Sequence, residues 1–366
     1  MCGAFVIMEI SMEKDYRYQS YIDILCKKLK NVYESKKEKT VLISGASGMI
    51  GTVIIDILIN MNDTYNANYK IYGLGRSLQH AQEMFDNYSI CSDFKFITCD
   101  INNQITEVGD VDYIIHAASN THPIDYSLDP IGTISSNVIG TNNLLEYGVK
   151  HNCNRFVFLS SVEIYGENRG DIEKFDEKYC GYVDCNTLRA GYPESKRTGE
   201  ALCQAYGEKY DLNFVIPRLC RTYGPTMSIR DSKAIAQFIK NAASRQDIVL
   251  KSDGRQYYSY IDVFQAAYAI LYIMFKGENQ NAYNISSDSG NWYMKDVAEM
   301  AANSVGKKVV YDLPDEKEKL GFSTATKALL DNSKLKKLGW SEVLDCKEVF
   351  NYTIEVIRKR ISEKEG

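Results

Sequence analysis

The chain has 366 residues, of which 45% are hydrophobic and 25% are charged. This composition is that of a globular protein with room for one large or two modest domains, and it excludes a disordered or fibrous chain. The net charge is −5 and no run of Lys and Arg forms a basic stripe, so no nucleic-acid partner is expected. No apolar run approaches the roughly 20 residues of a membrane span, so no membrane partner is expected either.

Residues 1–38 are expected to form an N-terminal extension to the main fold. Apolar positions between Tyr21 and Tyr33 recur at helical spacing, and a charged segment, residues 34–39, follows them. Residues 2–8 are apolar, but they are too few for a secretory signal and no basic region precedes them, which predicts a cytoplasmic protein. The ten cysteines lie apart without a paired Cys-x-x-Cys pattern, so no metal site is expected.

A glycine-rich turn follows the first apolar strand, residues 40–44. Gly45, Gly48 and Gly51 have the spacing that lets a turn bend tightly and bring its backbone close to a phosphate. Residues 49–59 are almost continuously apolar and predict a buried helix, whose N-terminus would attract the diphosphate of a dinucleotide. An ordinary strand-to-helix turn would show the same glycines. The other predicted cofactor contacts in this turn are Ser47, Met49 and Ile50.

Strand and helix patterns then alternate along the chain. Apolar strands are predicted at residues 70–74, 94–98, 113–116, 155–159 and 213–217. This alternation predicts an α/β fold, a doubly wound parallel sheet of the Rossmann type with helices on both faces. We expect this domain to span residues 39–225. Residues 226–366 are expected to form mainly a smaller C-terminal substrate-binding lobe, with some segments that return to the Rossmann domain.

The end of the second predicted strand bears on the choice between NAD and NADP. A carboxylate there would bind the ribose hydroxyls of NAD, whereas an arginine would accommodate the extra phosphate of NADP. Arg76 stands at this position, which favours NADP slightly, although a solvated loop arginine would look the same. Asp100 and Ile101 close another strand at the edge where ligands of such sheets bind. The Asp100 carboxylate is therefore a candidate contact to adenine or, alternatively, a helix cap.

A tyrosine and a lysine four residues apart carry the candidate chemistry. On a helix, Tyr192 and Lys196 share a face, so the ammonium can stabilise the phenolate and also bind the nicotinamide ribose. Tyr192 then becomes a usable general acid or base. Because the chain has 27 tyrosines, this spacing also arises by chance. Ser161 strengthens the interpretation, since it follows a predicted strand and can share the substrate proton with Tyr192.

Together these motifs resemble the extended short-chain dehydrogenase/reductases of the NAD-dependent epimerase/dehydratase family, which modify nucleotide-activated sugars. The resemblance covers residues from about 40 to 345. Besides the motifs above, it rests on the segments 116–118, 137–141, 218–225 and 331–340. It is closest to UDP-glucuronate decarboxylases and 4,6-dehydratases, and it implies a tightly bound NAD(P), a nucleoside diphosphate sugar as substrate and a homodimer. The further cofactor contacts that it implies are Ala117, Ala118, Ser119 and Asn137, and the implied substrate contacts are Thr121, Ser161, Arg218, Arg221 and Tyr258.

The resemblance also implies a shared first step. The C4 hydroxyl of the sugar loses its proton to Tyr192 and its hydride to the nicotinamide, with Ser161 assisting, which gives a 4-keto sugar. Glu163 matches the family's glutamate in dehydratases and decarboxylases, and in a dehydratase this residue takes the C5 proton. Ser161, Glu163, Tyr192 and Lys196 are therefore the predicted catalytic residues.

Four positions depart from the family's pattern. Val162 stands where dehydratases carry an Asp or Ser that assists departure of the C6 hydroxyl. Decarboxylases carry an arginine in the segment that corresponds to residues 256–260, and here only Arg255 lies close. Asn is common where Arg221 stands, and Asp is common where Gln265 stands. Contacts to the diphosphate and the base are therefore expected to differ from the usual ones.

Three outcomes stay open after the first step: in order of preference 4,6-dehydration, epimerisation at C4 or C5, and decarboxylation of a uronate. A 4-keto reductase that consumes NADPH is a further alternative, which Arg76 would suit. A hypothesis of a different class is a catalytically silent Rossmann protein that senses the NADP redox state. The presence of Ser161, Tyr192 and Lys196 argues against such a sensor.

Overall fold

A computed structural model describes residues 15–33, 37–85, 91–105, 108–121, 129–312 and 325–365. The first apolar residues of the chain, 2–8, lie outside this range. Strands are numbered along the chain as β1 (Lys39–Ser44), β2 (Tyr69–Gly75), β3 (Phe94–Thr98), β4 (Tyr113–His116), β5 (Arg155–Phe158), β6 (Ser160–Ser161), β7 (Phe214–Leu219), β8 (Arg221–Tyr223), β9 (Ile248–Leu250), β10 (Tyr257–Asp262), β11 (Asn281–Ile285), β12 (Asn291–Tyr293), β13 (Val309–Tyr311) and β14 (Lys327–Ala328).

The helices pack on the main sheet and in the second lobe. They are α1 (Tyr16–Leu29), α2 (Met49–Tyr65), α3 (Leu78–Phe85), α4 (Pro130–Lys150), α5 (Gly191–Tyr210), α6 (Ala234–Ala243), α7 (Val263–Lys276), α8 (Met294–Ser304), α9 (Ser333–Lys337) and α10 (Cys346–Glu365). Short 3-10 turns, Val162–Tyr165 and Leu188–Ala190, precede α5. Within the described residues, no helix is long and apolar enough to cross a membrane.

The main sheet is parallel, with the strand order β11-β7-β5-β4-β1-β2-β3 and with β6 beside β7. The predicted doubly wound Rossmann-type sheet is confirmed. The chain first builds outward from β1 to β3 and then crosses to β4 on the other side of β1. Ser44 pairs with both Leu74 and His116, and His116 pairs with Phe158, so these strands end in one row. Because the strand order reverses beside β1, we expect the ligand crevice of such sheets at this carboxyl edge.

Helix α2 is buried on several sides, which explains its nearly continuous apolar sequence. Val53, Ile54, Ile55, Ile57 and Leu58 are fully buried. The helix contacts the sheet, the N-terminal helix α1 and helix α7 of the later chain. Burial on this scale holds α2, and with it the turn that precedes it, in a fixed position.

The N-terminal helix α1 is part of the hydrophobic core. Asp15 caps it by accepting hydrogen bonds from the backbone of residues 17 and 18, and six of its side chains are buried. The Tyr18 hydroxyl donates to the buried carboxylate of Asp56 on α2, and the Tyr21 hydroxyl donates to Glu348 Oε1 at 2.8 Å. A buried carboxylate costs free energy unless it is hydrogen-bonded, so α1 supplies a partner that α2 needs.

The second lobe is built from short strands and connects directly to the crevice. Its larger sheet has the order β12-β10-β14 with β8 beside β10, and β13 pairs with β9. A single residue, Cys220, separates β7 from β8, and Arg221 on β8 pairs with Tyr260 on β10. The chain then returns to the main sheet, where β11 pairs with β7. The two parts of the fold are therefore interleaved, and the carboxyl edge of the main sheet continues into the second lobe.

Candidate active site

The glycine turn between β1 and α2 forms a cradle of bare backbone. Gly45 has a φ of +70°, and a Cβ there would lie 2.7 Å from the backbone nitrogen of Ala118. A Cβ on Gly51 would lie 2.4 Å from the Gly45 carbonyl oxygen. Gly48 caps α2 without a side-chain hydrogen bond. The first N–H groups of a deeply anchored helix are thus aimed at the crevice, which suits a diphosphate.

The other predicted cofactor contacts lie along the carboxyl edge of the main sheet. Ser47, Met49 and Ile50 are partly buried in the turn, and Arg76 is exposed just beyond β2. Asp100 follows β3, and its Oδ1 accepts a hydrogen bond from the backbone of Asn102 at 3.0 Å. The carboxylate thus closes a short turn and caps no described helix, and its contact to adenine stays a prediction. Ile101 is buried against Gly140 of α4.

His116 links the end of strand β4 to strand β1 and to helix α4. Its Nδ1 lies 2.8 Å from Ser44 Oγ, and its Nε2 lies 2.9 Å from Thr141 Oγ1. The Thr141 hydroxyl donates to the Asn137 carbonyl, and Ser44 Oγ accepts from the Ala118 backbone. Since the Thr141 hydroxyl donates elsewhere, it accepts from Nε2, which therefore carries a proton, and in the neutral imidazole Nδ1 accepts from Ser44 Oγ. Burial, together with the nearby Lys196 ammonium, holds the pKa of His116 well below its usual value, which agrees with that form.

Asn137 extends this network towards the helix that carries Tyr192. It is fully buried, its Oδ1 accepts from Ser119 Oγ at 2.8 Å, and its Nδ2 donates to Ser195 Oγ at 2.9 Å. Ser195 Oγ donates in turn to the backbone oxygen of Tyr192 at 2.9 Å. The predicted cofactor contacts at residues 117–119 and 137 therefore lie in one continuous network. Sequence reasoning missed Ser195, because nothing in its spacing marks it as a link.

Lys196 is a buried residue of helix α5. Helix α5 begins at Gly191, so Tyr192 and Lys196 are one turn apart on the same face. The Lys196 side chain is buried, and its Nζ donates to the Leu159 carbonyl at 2.8 Å, two residues before Ser161. Burial lowers the pKa of Lys196 to about 8, although Glu200 acts to raise it. Ser161 Oγ accepts from the backbone of Glu163 at 3.2 Å and caps the 3-10 turn.

Glu163 lies between two guanidinium groups. Its Oε2 is 3.5 Å from Arg189 Nη2, and its Oε1 is 3.9 Å from Arg221 Nη2. The centre of the Arg221 guanidinium lies 3.4 Å from the ring centroid of Tyr258, which is buried. Arg221 Nη1 is also buried and has no hydrogen-bond partner in the described part of the chain. Sequence reasoning missed Arg189, although this residue stands only three positions before Tyr192.

Arg218, a predicted substrate contact, is occupied by the protein itself. Its Nε and Nη2 bind both oxygens of Glu200 at 2.9 and 2.5 Å, and its Nη1 donates to the Tyr165 hydroxyl and the Glu177 carbonyl. Burial acts to lower the pKa of Arg218, but the bond to Glu200 outweighs it and raises that pKa. The guanidinium fork that would hold a substrate oxyanion holds the Glu200 carboxylate in this structure, so the substrate contact of Arg218 stays a prediction.

The three other positions that depart from the family's pattern do not bring a charge to the site. Arg255 is exposed and lies 3.4 Å from Asp253, so it does not replace the decarboxylase arginine. Gln265 is buried, donates to Asp262 and accepts from the backbone of residues 343 and 344, which is a structural role. Val162 is buried and apolar. It offers no proton donor beside Glu163.

The predicted substrate contact Thr121 is exposed, and its hydroxyl lies 3.4 Å from Lys233 Nζ. The Lys233 ammonium also lies 3.3 Å from Asp231 Oδ2. Sequence reasoning missed Lys233, which comes from the second lobe, more than a hundred residues after Thr121. The two residues bring a hydroxyl and a cation together beside the crevice.

Comparisons with known proteins identify the family. The model of the NAD dependent epimerase/dehydratase family matches residues 41–286. The chain belongs to this family. It is 27% identical over 339 residues to UDP-glucuronic acid decarboxylase 2 of Arabidopsis thaliana, a match that covers 90% of this chain and 71% of the relative.

Solved structures of the family share the fold. The dTDP-glucose 4,6-dehydratase of Bacillus anthracis in complex with NAD is 22% identical with a TM-score of 0.72, over 88% of this chain and 97% of that one. The UDP-glucuronic acid 4-epimerase of Bacillus cereus, in complex with UDP-glucuronic acid and NAD, is 20% identical with a TM-score of 0.75, over 87% and 99%. The known relatives thus carry out three different reactions on nucleotide sugars, and the family alone does not choose among them.

Proposed function

We propose that this protein is an NAD(P)-dependent enzyme that oxidises C4 of a nucleoside diphosphate sugar and works through a 4-keto intermediate. The observation that carries the proposal is the position of Lys196. Its buried ammonium lies one helical turn after Tyr192 and donates to the carbonyl two residues before Ser161. This contact holds helix α5, which carries Tyr192, against the segment that carries Ser161. Both side chains must reach the same sugar hydroxyl for the proton to pass to Tyr192.

The cradle fits the cofactor. Bare glycine backbone at Gly45 and Gly51, followed by a helix N-terminus without a side-chain cap, suits a diphosphate that a Cβ would exclude. When bound, the nicotinamide accepts and returns a hydride. The chain's own residues do the rest: Tyr192 takes the proton of the C4 hydroxyl, Ser161 shares that proton, and the Lys196 ammonium stabilises the phenolate. The network through Ser195 and Asn137 fixes the start of the catalytic helix relative to the cofactor edge.

The residues beside C5 favour a reaction without loss of water. A 4,6-dehydration needs an acid that protonates the departing C6 hydroxyl, and Val162 is a buried apolar residue in its place. Glu163 faces two guanidinium groups. We therefore rank dehydration after epimerisation, which keeps the C6 group, and after decarboxylation, which removes it as carbon dioxide. Neither of these reactions needs an acid to protonate a departing C6 hydroxyl. In all of them the hydride that leaves C4 returns to the sugar, so a tightly held cofactor is expected.

A homodimer is part of the proposal. Large apolar side chains are exposed on α4 and on the 3-10 turn just before α5: Ile131, Ile134, Ile139 and Leu188. Apolar side chains clustered on two neighbouring elements are typical of a protein interface. A second copy of the chain would cover them beside the catalytic helix.

The test is a panel of UDP-, dTDP-, GDP- and CDP-sugars incubated with the protein in deuterated water and analysed by NMR. We expect turnover of at least one sugar nucleotide by the native chain and a loss of about 10²- to 10⁴-fold in Tyr192→Phe. Tyr206→Phe is the matched control, since Tyr206 lies on the same helix and its hydroxyl contacts Asn142. Binding of a dinucleotide with every sugar unchanged would contradict the proposal and support the sensor.

A further inference from the structure

A buried ion pair begins on helix α5, one turn after Lys196. Glu200 follows Tyr192 and Lys196 at a spacing of four residues, which places the three side chains on successive turns of the helix. The two oxygens of Glu200 accept hydrogen bonds from Nε and Nη2 of Arg218 at 2.9 and 2.5 Å. The side chains of Glu200 and Arg218 are 13% and 11% exposed. A buried ion pair is often no more stable than apolar residues of similar size, so stability alone does not account for its presence here.

Arg218 connects this helix to the turn that begins at Ser161. It lies on β7, where it pairs with Ser160 on β6. Its Nη1 donates to the Tyr165 hydroxyl at 3.0 Å, and Tyr165 ends the 3-10 turn that Ser161 caps. The Tyr165 hydroxyl donates in turn to Asn284 Oδ1 on β11 at 2.6 Å. One guanidinium therefore links α5, the Ser161 turn and two strands of the main sheet.

Helix α5 is thus attached to the Ser161 segment at two points. At the first, Lys196 Nζ donates to the Leu159 carbonyl at 2.8 Å. At the second, one turn later, Glu200 holds Arg218. Two attachments prevent a rotation of the helix that a single contact would allow. Such control suits a proton transfer, because a displacement of about 1 Å in the reacting groups can cost a large part of the rate.

The ion pair also bears on the charge of Lys196. Burial lowers the pKa of Lys196 to about 8, and the Glu200 carboxylate acts to raise it. Other titratable groups around Lys196 do not take this role. His116 on β4 is neutral, since burial and the ammonium itself hold its pKa low. Burial raises the pKa of the Cys203 thiol on α5 well above its usual value, so the thiol stays protonated. Glu200 therefore supplies the negative charge that balances the ammonium beside Tyr192.

We propose that Glu200 and Arg218 are a positioning pair for the proton transfer: they hold α5 against the turn of Ser161, and Glu200 balances the charge of the Lys196 ammonium. This inference rests on the proposed function, because the transfer runs between the sugar hydroxyl and Tyr192. In this role Arg218 does not bind the sugar itself. The two charges of the pair act on Lys196 in opposite directions, which gives the proposal a signature that a purely structural pair lacks.

The experiment measures kcat and KM from pH 6 to 10 with a sugar nucleotide that the native chain turns over. Glu200→Gln removes a negative charge and so lowers the pKa of Lys196. The high-pH decline in kcat should therefore move down by about one pH unit. Arg218→Gln removes the opposing positive charge, so the decline should move up. At neutral pH, kcat should fall about 10- to 100-fold in both variants, with KM for the sugar changed by less than about threefold.

Two further variants separate position from charge. Glu200→Asp keeps the charge but shortens the side chain, so kcat should fall while the decline stays at the native pH. Glu208→Gln changes an exposed carboxylate of the same helix and is the matched control, which should leave kcat and the decline unchanged. Melting transitions show which variants are folded. Should Glu200→Gln fail to fold, Arg218→Gln and Glu200→Asp test the same two effects.

The results separate this inference from the proposed function. If the folded Glu200→Gln and Arg218→Gln variants decline at the native pH, or shift in the same direction, the inference fails while the proposed function stands. If Arg218→Gln raises KM for the sugar more than about tenfold and leaves kcat unchanged, Arg218 is a substrate contact and the inference fails as well. If the native chain turns over no sugar nucleotide, both claims fail.

Discussion

The cofactor side and the substrate side of the crevice are built in different ways. On the cofactor side, bare backbone at the glycine turn and a network through His116 and Asn137 create the site. On the substrate side, long charged side chains from distant segments meet at Glu163. A backbone cradle tolerates little change, whereas a cluster of side chains can be rearranged while the fold stays the same. We therefore expect the first to determine the cofactor class and the second to determine which sugar reacts.

The largest expected effect concerns Lys196, which joins the two sides. Lys196→Met should lower turnover by about 10²- to 10⁴-fold, because the phenolate of Tyr192 loses its ammonium partner. Since its pKa is lowered to about 8, the native lysine is charged below that pH and neutral above it. Turnover of the native enzyme should therefore fall as the pH rises through about 8. Steady-state rates from pH 6 to 10 check this.

Lys196→Arg serves as the control for this prediction. An arginine stays charged throughout the range, so any remaining activity should persist to higher pH. An unchanged high-pH decline in Lys196→Arg would assign the titration to another group.

The second prediction tests the backbone cradle. Gly45→Ala should weaken NAD(H) binding by at least about 100-fold, because the added Cβ lies 2.7 Å from the Ala118 nitrogen and displaces the turn. Gly109→Ala is a matched control, since Gly109 has a φ of +79° and open space around its Cβ position. Gly109→Ala carries the same cost of about 1 kcal/mol for an alanine at positive φ, but its Cβ meets no other atom. Fluorescence titration with NADH measures both variants, and equal binding by them would contradict the cradle.

The third prediction tests the network on the cofactor side. His116→Leu leaves the hydroxyls of Ser44 and Thr141 without their partner, which should cost about 1–3 kcal/mol of unfolding free energy. The same network positions helix α5, which carries Tyr192, beside the predicted cofactor contacts, so the Kd for the cofactor should rise several-fold. Urea unfolding and cofactor titration check the two effects. His80→Leu, on the exposed helix α3, should change stability by less than about 0.5 kcal/mol.

The smallest expected effect concerns the choice of cofactor. Arg76 is exposed beyond β2, where the extra phosphate of NADP would lie. Arg76→Ala should lower the ratio of NADP to NAD affinity by about tenfold, since one charge-assisted contact is lost. Competition binding of the two dinucleotides measures the ratio. An unchanged ratio would make Arg76 a solvated loop residue and leave NAD as the simpler cofactor.

The same contrast explains which features of the fold and the site could be predicted from the sequence. The glycines, the apolar strands and the Tyr192–Lys196 spacing act over a few residues, so their geometry follows from local rules, and the Rossmann-type sheet could be predicted. The pairing of Arg218 with Glu200 and the stacking of Arg221 on Tyr258 join separate elements. No local pattern distinguishes an arginine bound to the protein from one with a donor to spare. Helix α1 looked like an appendage because its partners, Asp56 and Glu348, lie far along the chain.

The central claim is that hydrogen leaves C4 of the sugar as a hydride while Tyr192 takes the hydroxyl proton. The most direct test uses the sugar nucleotide that reacts, labelled with deuterium at C4, in a single turnover stopped with cold organic solvent before the hydride returns to the sugar. Mass spectrometry of the released cofactor should show deuterium on the reduced nicotinamide of the native chain and none with Tyr192→Phe. Product formation with the C4 deuterium never found on the nicotinamide, or lost to water, would contradict the account.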